Sequence, residues 1–244
     1  MNGSLISCRA LEKSYGGASV LKNVDLEVGA GRIVGLLGPN GAGKTTFIKL
    51  LCGLLHPTGG EVLVNGMAPG PQTKAVVSYL PDKTYFADWM KTGDILDLFE
   101  DFYEDFDRGR AENMCSALGV KASDRIKTMS KGTREKLQLI LVMSRRARLY
   151  LLDEPIAGVD PAARDYIMNT ILTNYSPDGT VLISTHLIGD IERVLDEAIF
   201  LQNGKIILHE TVDDIRAGHG KSVDALFREM FRMNVQDGGE NYVR

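Results

Sequence analysis

Cysteine is scarce in this chain. Cys8, Cys52 and Cys115 are odd in number, far apart and without a Cys-x-x-Cys pair, which argues against a disulfide framework or a zinc-ribbon spacing. Three small buried thiols in a reduced compartment are expected instead. Long apolar runs are also missing: stretches such as Leu139 to Met143 fall far short of the roughly 20 residues that cross a bilayer. The opening MNGSLISCRA has neither a basic start nor an apolar centre, so no secretory signal is expected there. Nor is positive charge in excess. With 28 Lys and Arg against 32 Asp and Glu, the net charge of −4 provides no basic footprint, and no direct nucleic-acid partner is expected. Internal repeats, low-complexity tracts and dividing linkers are absent too, and 244 residues suffice for one large domain or two small lobes.

What the chain does carry is the run Gly38, Pro39, Asn40, Gly41, Ala42, Gly43, Lys44, Thr45 and Thr46, which fits the pattern G-x-x-x-x-G-K-[ST]. It follows the apolar stretch Ile33 to Leu37 and opens a helix-like segment from Thr45 to Leu55. A glycine-rich turn between strand and helix lets backbone N–H groups point at phosphate oxygens, and the positive end of the helix dipole favours the same anion. Lys44 is expected to bridge the β- and γ-phosphates, and the Thr45 hydroxyl to sit where the nucleotide's Mg²⁺ lies. Nucleotide binding follows from this run in this context.

The surrounding pattern is α/β. Ser4 to Ala10, Ser19 to Val28 and Glu61 to Val64 read as an antiparallel layer broken by glycine turns. Arg32 to Leu37, Val76 to Leu80, Leu149 to Asp153 and Thr180 to Ser184 read as a mostly parallel core sheet, separated by helical stretches. Between the second and third of these lies a long helical insertion. There Ile95, Leu98, Phe99 and Phe102 recur at helical spacing with acidic residues opposite. Another helix, with Ser130 at its start, is expected to contain Lys136 to Ala147, and Gln202 to Lys205 marks a hairpin turn.

Tyr150 to Pro155 supplies the second chemical signal. Three apolar residues ending in Asp153 and Glu154 describe a buried strand surfacing at the sheet's carboxyl edge, where open α/β sheets bind ligands. Asp153 is placed to organise Mg²⁺ through water, and Glu154 to orient and polarise an attacking water beside the γ-phosphate. Taken alone, the pair also fits a strand followed by a solvated acidic turn. His186 surfaces on the same edge after the apolar strand Val181 to Thr185.

Taken together and in this order, these motifs resemble those of the ATP-binding-cassette ATPases, from Tyr15 to Glu210. Met129 to Thr133 is similar to the family signature LSGGQ, Ile156 to Asp160 to its D-loop, and His186 to its switch histidine. The resemblance is strongest to ATPase subunits of bacterial drug or antimicrobial-peptide exporters. It implies a P-loop NTPase core with a mostly parallel sheet, an antiparallel β layer and a helical insertion about 84–147, all within an ATPase domain 1–220 and followed by a short C-terminal extension 221–244. ATP and Mg²⁺ are the implied cofactors. Tyr15 is then the ring that stacks on adenine, Glu154, His186 and Lys44 the catalytic groups, and Thr45 and Asp153 the metal-side residues. Two subunits, identical or sister chains, would face each other, with Ser130 and Gly132 of one reaching the γ-phosphate held by the other. The implied partners are separate transmembrane subunits, and the implied location is the cytoplasm, peripherally at the inner face of the cell membrane.

Two motifs depart from the family pattern. Lys131 and Thr133 replace glycine and glutamine in the signature, and Lys131 either approaches the phosphates or points to solvent. Asp82 stands where the family's Q-loop has glutamine, an oxygen ligand that still suits Mg²⁺. After it, Asp82 to Asp94 concentrates Tyr85, Phe86, Trp89 and Met90. These either line a groove for a short helix of a membrane subunit or pack into the insertion's own core. A non-transport ATPase of the same family, acting on a soluble or nucleic-acid complex, is the rival reading. A GTPase is disfavoured because no Asn-Lys-x-Asp motif is present, and a small-molecule kinase because it would not need the signature or the switch histidine.

Overall fold

The computed structural model describes residues 4–157, 159–176 and 178–236. In chain order its elements are β1 (Ile6–Tyr15), β2 (Ala18–Val28), β3 (Ile33–Leu37), α1 (Lys44–Leu51), β4 (Gly59–Val64), α2 (Pro71–Lys74), β5 (Val77–Leu80), α3 (Thr92–Phe102), α4 (Arg108–Ala117), α5 (Lys131–Met143), β6 (Leu149–Asp153), α6 (Pro161–Asn174), β7 (Thr180–Thr185), α7 (Ile188–Ile191), β8 (Glu197–Gln202), β9 (Lys205–Thr211), α8 (Val212–His219) and α9 (Val223–Gln236).

Strands apolar at every position are buried on both faces, and they form the centre of a six-stranded sheet in the order β5-β6-β7-β3-β8-β9. All neighbours are parallel except β9, which returns antiparallel through the Gln202–Lys205 turn. Side chains alternate between the faces. Leu152 and Ile183 point into a core shared with α5, α6 and α9, while Leu151 and Leu182 point into a core shared with α1 and the antiparallel sheet β2-β1-β4. Phe47, Ile48, Leu50 and Leu51 of α1 are buried in that second core, each contributing about 1.5–3 kcal/mol. The parallel sheet thus sends the ends of β3, β5, β6 and β7 to one edge. A third core, built from α3, α4 and the first half of α5, fills the insertion. Helix α5 belongs to two cores: Leu137, Ile140 and Leu141 pack in the insertion, whereas Leu139, Val142 and Met143 pack on the sheet.

The structure corrects several expectations. The first strand does not stop at Ala10 but continues to Tyr15 through a bulge, where Ala10 takes φ 45° and its N–H donates to Asp25 Oδ1 at 2.7 Å. The helix after Thr45 ends at Leu51 rather than Leu55. Gly53, at φ +68°, closes it: its N–H donates to the Leu50 carbonyl at 3.0 Å and that of Leu54 to the Lys49 carbonyl at 2.9 Å. Helix α5 starts where expected, at Lys131 under a Ser130 cap, but stops at Met143 rather than Ala147. In α3, Ile95, Leu96 and Phe99 make the buried face, whereas Leu98 is 40% and Phe102 75% exposed. The stripe read from the sequence is therefore rotated toward Leu96, because α4 and α5 cover that side of the helix. Helix α9 packs Val223, Leu226, Phe227 and Phe231 onto the main core, with the Phe227 ring 5.3 Å from Phe200. All three cysteines are free and buried, and burial pushes the Cys8 thiol up to about 12 and that of Cys115 to about 11. No helix among the described residues is long and apolar enough to cross a membrane.

Candidate functional site

At the edge where the parallel strands end, Gly38 begins the phosphate-type loop directly after β3. A Cβ at Gly38 would lie 2.4 Å from the Leu201 carbonyl oxygen, so only glycine fits where the loop crosses β8. Gly43, the N-cap of α1, has φ +111° and supplies no capping side chain. The first-turn N–H groups of α1 are thereby left for an external acceptor. The β1–β2 hairpin abuts this turn, because a Cβ on Gly43 would meet the Val20 carbonyl at 3.2 Å. Tyr15, at the hairpin's tip, is exposed, with Lys13 Nζ 5.2 Å from its ring centre.

Lys44 turns back into the loop. Only 6% exposed, it donates to the carbonyls of Gly38 at 2.8 Å and Pro39 at 3.3 Å and pairs with Glu154 Oε1 at 3.2 Å. Glu154 follows β6 at φ 52°, a left-handed conformation that costs a side-chain-bearing residue about 1–2 kcal/mol. Its N–H donates to the Ser184 carbonyl at 3.0 Å, and its carboxylate lies 3.0 Å from His186 Nδ1. A single carboxylate thus spans Lys44 and His186.

Asp153 is fully buried at the end of β6. Ser184 Oγ donates to its Oδ1 at 2.6 Å, but Oδ2 has no hydrogen-bond partner. Burial raises the Asp153 pKa; the Ser184 and Thr45 hydroxyls oppose this, and the carboxylates of Asp82 and Glu154 add to it. An orphaned carboxylate oxygen beside a threonine hydroxyl fits a divalent cation. No cluster of three or more His, Cys, Asp or Glu side chains able to hold a metal exists among the described residues, so such a cation would draw further oxygens from phosphate and water, as Mg²⁺ does.

Asn40, Asp82, Asp153, Glu154 and His186 line one cleft of about 610 Å³, together with Gln138 and Lys131 of α5. The structure therefore gathers the loop, both acids, the histidine and Asp82. It leaves Tyr15, Ser130 and Gly132 outside that lining. Ser130 is an exposed cap whose Oγ accepts from the Thr133 N–H at 3.1 Å, and the space beside Gly132 is open. Lys131 is exposed on the cleft lining, paired with Glu135 at 3.6 Å. Gly158 of the D-loop stretch lies outside the described residues. Sequence reasoning missed Ser184 and Gln138. The only trace of Ser184 is a hydroxyl pair closing an otherwise apolar strand, and Gln138 is a lone amide within the apolar run after Leu137.

Comparison with known proteins agrees with this geometry. The family model for ABC transporters matches residues 21–157, more than half of the chain. The chain belongs to the ABC transporter family. It is similar to the ABC transporter ATP-binding protein YtrB of Bacillus subtilis, 29% identical over 87% of this chain and 74% of that one. It is also similar to the probable multidrug ABC transporter ATP-binding protein YbhF of Escherichia coli, 33% identical over 96% of this chain but 42% of the relative. A solved structure described as the ATP-binding subunit of an ABC transporter superposes with a TM-score of 0.83 at 29% identity, covering 93% of this chain and all of the other. The architecture of this ATP-binding subunit is thus the P-loop ABC fold.

Proposed function

We propose that this chain binds ATP with Mg²⁺, hydrolyses it, and drives separate transmembrane subunits as half of an ATPase dimer, in an exporter. One observation carries the hydrolytic reading: Glu154 stands between Lys44 at 3.2 Å and His186 at 3.0 Å, on the cleft that receives the phosphate-type loop. In this reading the Gly38–Thr46 backbone and Lys44 hold the β- and γ-phosphates. Glu154 orients a water and accepts its proton as the water oxygen bonds to the γ-phosphorus. The bond from that phosphorus to the β–γ bridging oxygen breaks, leaving ADP and phosphate. His186 steadies the Glu154 carboxylate and faces the γ-phosphate. Thr45 and Asp153, with Asp82 opposite, would hold Mg²⁺, which when bound neutralises phosphate charge. Tyr15 stacks on adenine.

The exposed signature supports the dimer. Ser130 and Gly132 stand outside their own chain's cleft, which suits groups that reach a second subunit's γ-phosphate. The transmembrane partners place the chain at the cytoplasmic face of a membrane. Of the aromatic segment, Phe86 and Met90 pack in the insertion core, while Trp89 at 70% exposure and Tyr85 remain for a partner helix. The multidrug relative's name supports export. The deciding experiment measures phosphate release and ATP-dependent dimerisation of the purified chain and of Glu154→Gln. The variant is expected to turn over at least about a hundredfold more slowly while trapping the dimer. Near-normal turnover would refute the role of Glu154.

A further inference from the structure

Asp82 lines the cleft, yet its carboxylate makes no hydrogen bond or ion pair among the described residues. The segment that bears it is fastened by packing of Phe86 in the insertion core but by little hydrogen bonding. Across residues 81–86, the one hydrogen bond from another part of the chain, among the described residues, is donated by Gln138 Nε2 to the Pro81 carbonyl at 3.5 Å. Gln138 is only 2% exposed, and it sits on α5 between the buried Leu137 and Leu139. A primary amide in such a place is costly unless it bonds. Its neighbours along the helix show what it is part of. Gln138 and Val142 follow the i, i+4 spacing of one helical face, and Arg145 lies just past the helix end. They meet Pro81, Ser78 and Val77 in turn: Ser78 Oγ donates to the Val142 carbonyl at 2.9 Å, and Arg145 Nη1 to the Val77 carbonyl at 2.6 Å. The seam that binds α5 to β5 thus runs past the end of the strand, and Gln138 is its last stitch.

We propose that Gln138 is a positioning residue for Asp82, fastening the Pro81 carbonyl so that the next carboxylate is presented to a divalent cation in the cleft beside Asp153. This rests on the reading that the cleft takes a nucleotide with a divalent cation. The test is Mn²⁺ titration, followed by electron paramagnetic resonance, of the full chain with a non-hydrolysable ATP analogue. Wild type, Gln138→Met, Asp82→Ala and the double variant are compared. Gln138→Met is expected to weaken Mn²⁺ about three- to tenfold, the range of one modest hydrogen bond, with analogue affinity in EDTA unchanged. In the Asp82→Ala background it should add nothing, because its effect passes through that carboxylate. If Gln138→Met does not fold, Gln138→Leu serves the same comparison. Unchanged Mn²⁺ affinity in a folded variant, or full additivity in the double variant, overturns the assignment. A wild-type chain that binds Mn²⁺ and analogue without hydrolysing ATP overturns the catalytic reading alone, and one that binds no Mn²⁺ overturns both.

Discussion

Ser184→Ala removes one oxygen and exposes how much the buried end of β6 depends on it. Ser184 Oγ donates to Asp153 Oδ1 at 2.6 Å and accepts from the Glu154 N–H at 3.2 Å. The second bond is partly redundant, because the same N–H reaches the Ser184 carbonyl at 3.0 Å. The first is replaced by no bond of the same length. Asp153 Oδ2 is already unpartnered, so the variant leaves the nearby Thr45 hydroxyl as the carboxylate's remaining donor in a fully buried place. A hydrogen bond to a charged group is worth about 1.5–3 kcal/mol, and at about 2–4 °C per kcal/mol for a chain of this size the melting temperature should fall by about 3–12 °C. Removing so small a group adds little cavity cost. Differential scanning calorimetry at pH 7.5 in EDTA measures this directly, with Ser184→Cys, a weaker donor, expected between the two. A Ser184→Ala protein melting within about 1 °C of wild type would show that the bond adds nothing net, and the account of Asp153 would fail.

Three further outcomes are expected. Tyr15→Ala should weaken ATP about five- to a hundredfold with Tyr15→Trp tolerated, by titration; equal affinity in Tyr15→Ala would place the base elsewhere. Trp89→Asp should leave melting unchanged yet abolish co-purification with a transmembrane subunit, whereas Phe86→Ser, whose ring lies 6.5 Å from Phe99, should lower stability by about 2–4 kcal/mol in urea titration. Asp107 caps α4, and the Arg110 N–H and the Arg146 guanidinium hold its carboxyl below the usual range. A lowered folded pKa contributes stability above the unfolded value, near 3.9, that is lost as pH falls through the folded one. Asp107→Ala should therefore cost about 1 kcal/mol at pH 7, and the gap should close in strong acid, as acid titration of both proteins would record.

Burial on both faces explains why β3, β5, β6 and β7 were legible: such strands write themselves as short apolar runs. The loop from Gly38 to Thr46 and the acids after β6 were legible for a different reason, since phosphate chemistry demands those residues at that spacing. Ala10 was not. Its bulge depends on Gly60, whose hydrogen lies where a Cβ would be 2.0 Å from the Ala10 carbonyl oxygen, a contact between residues fifty apart in sequence. The direction of the α3 face escaped because periodicity names a stripe but not the neighbour that covers it, and Leu98 and Phe102 lie just past the edge of that cover. The start of α5 was legible at Ser130, even though Lys131 to Lys136 is a polar first turn and a half. Gly53 did carry a stop signal for α1, which a reading by apolar content overran into Leu54 and Leu55.

Helix α5 has a mechanical consequence that follows from belonging to two cores. Its last turn is clamped, with Val142 and Met143 in the main core and Arg145, just beyond, bound to Asp105 Oδ1 at 2.9 Å. Its first turn, from Ser130, lies at the surface, tied there by Arg134 to Asp88 at 3.7 Å. The twelve steps of helical rise from Ser130 to Val142 span about 18 Å, so a tilt of about 10° about the clamped end would sweep Ser130 through about 3 Å, the length of a hydrogen bond. Any force that rocks the small helical lobe is thus magnified at the tip and scarcely felt at the root. The same rod passes Pro81 on the way, a short distance from its pivot. There the travel shrinks to about 1 Å, so a movement large enough to make or break contact at the tip would only nudge the turn that carries Asp82.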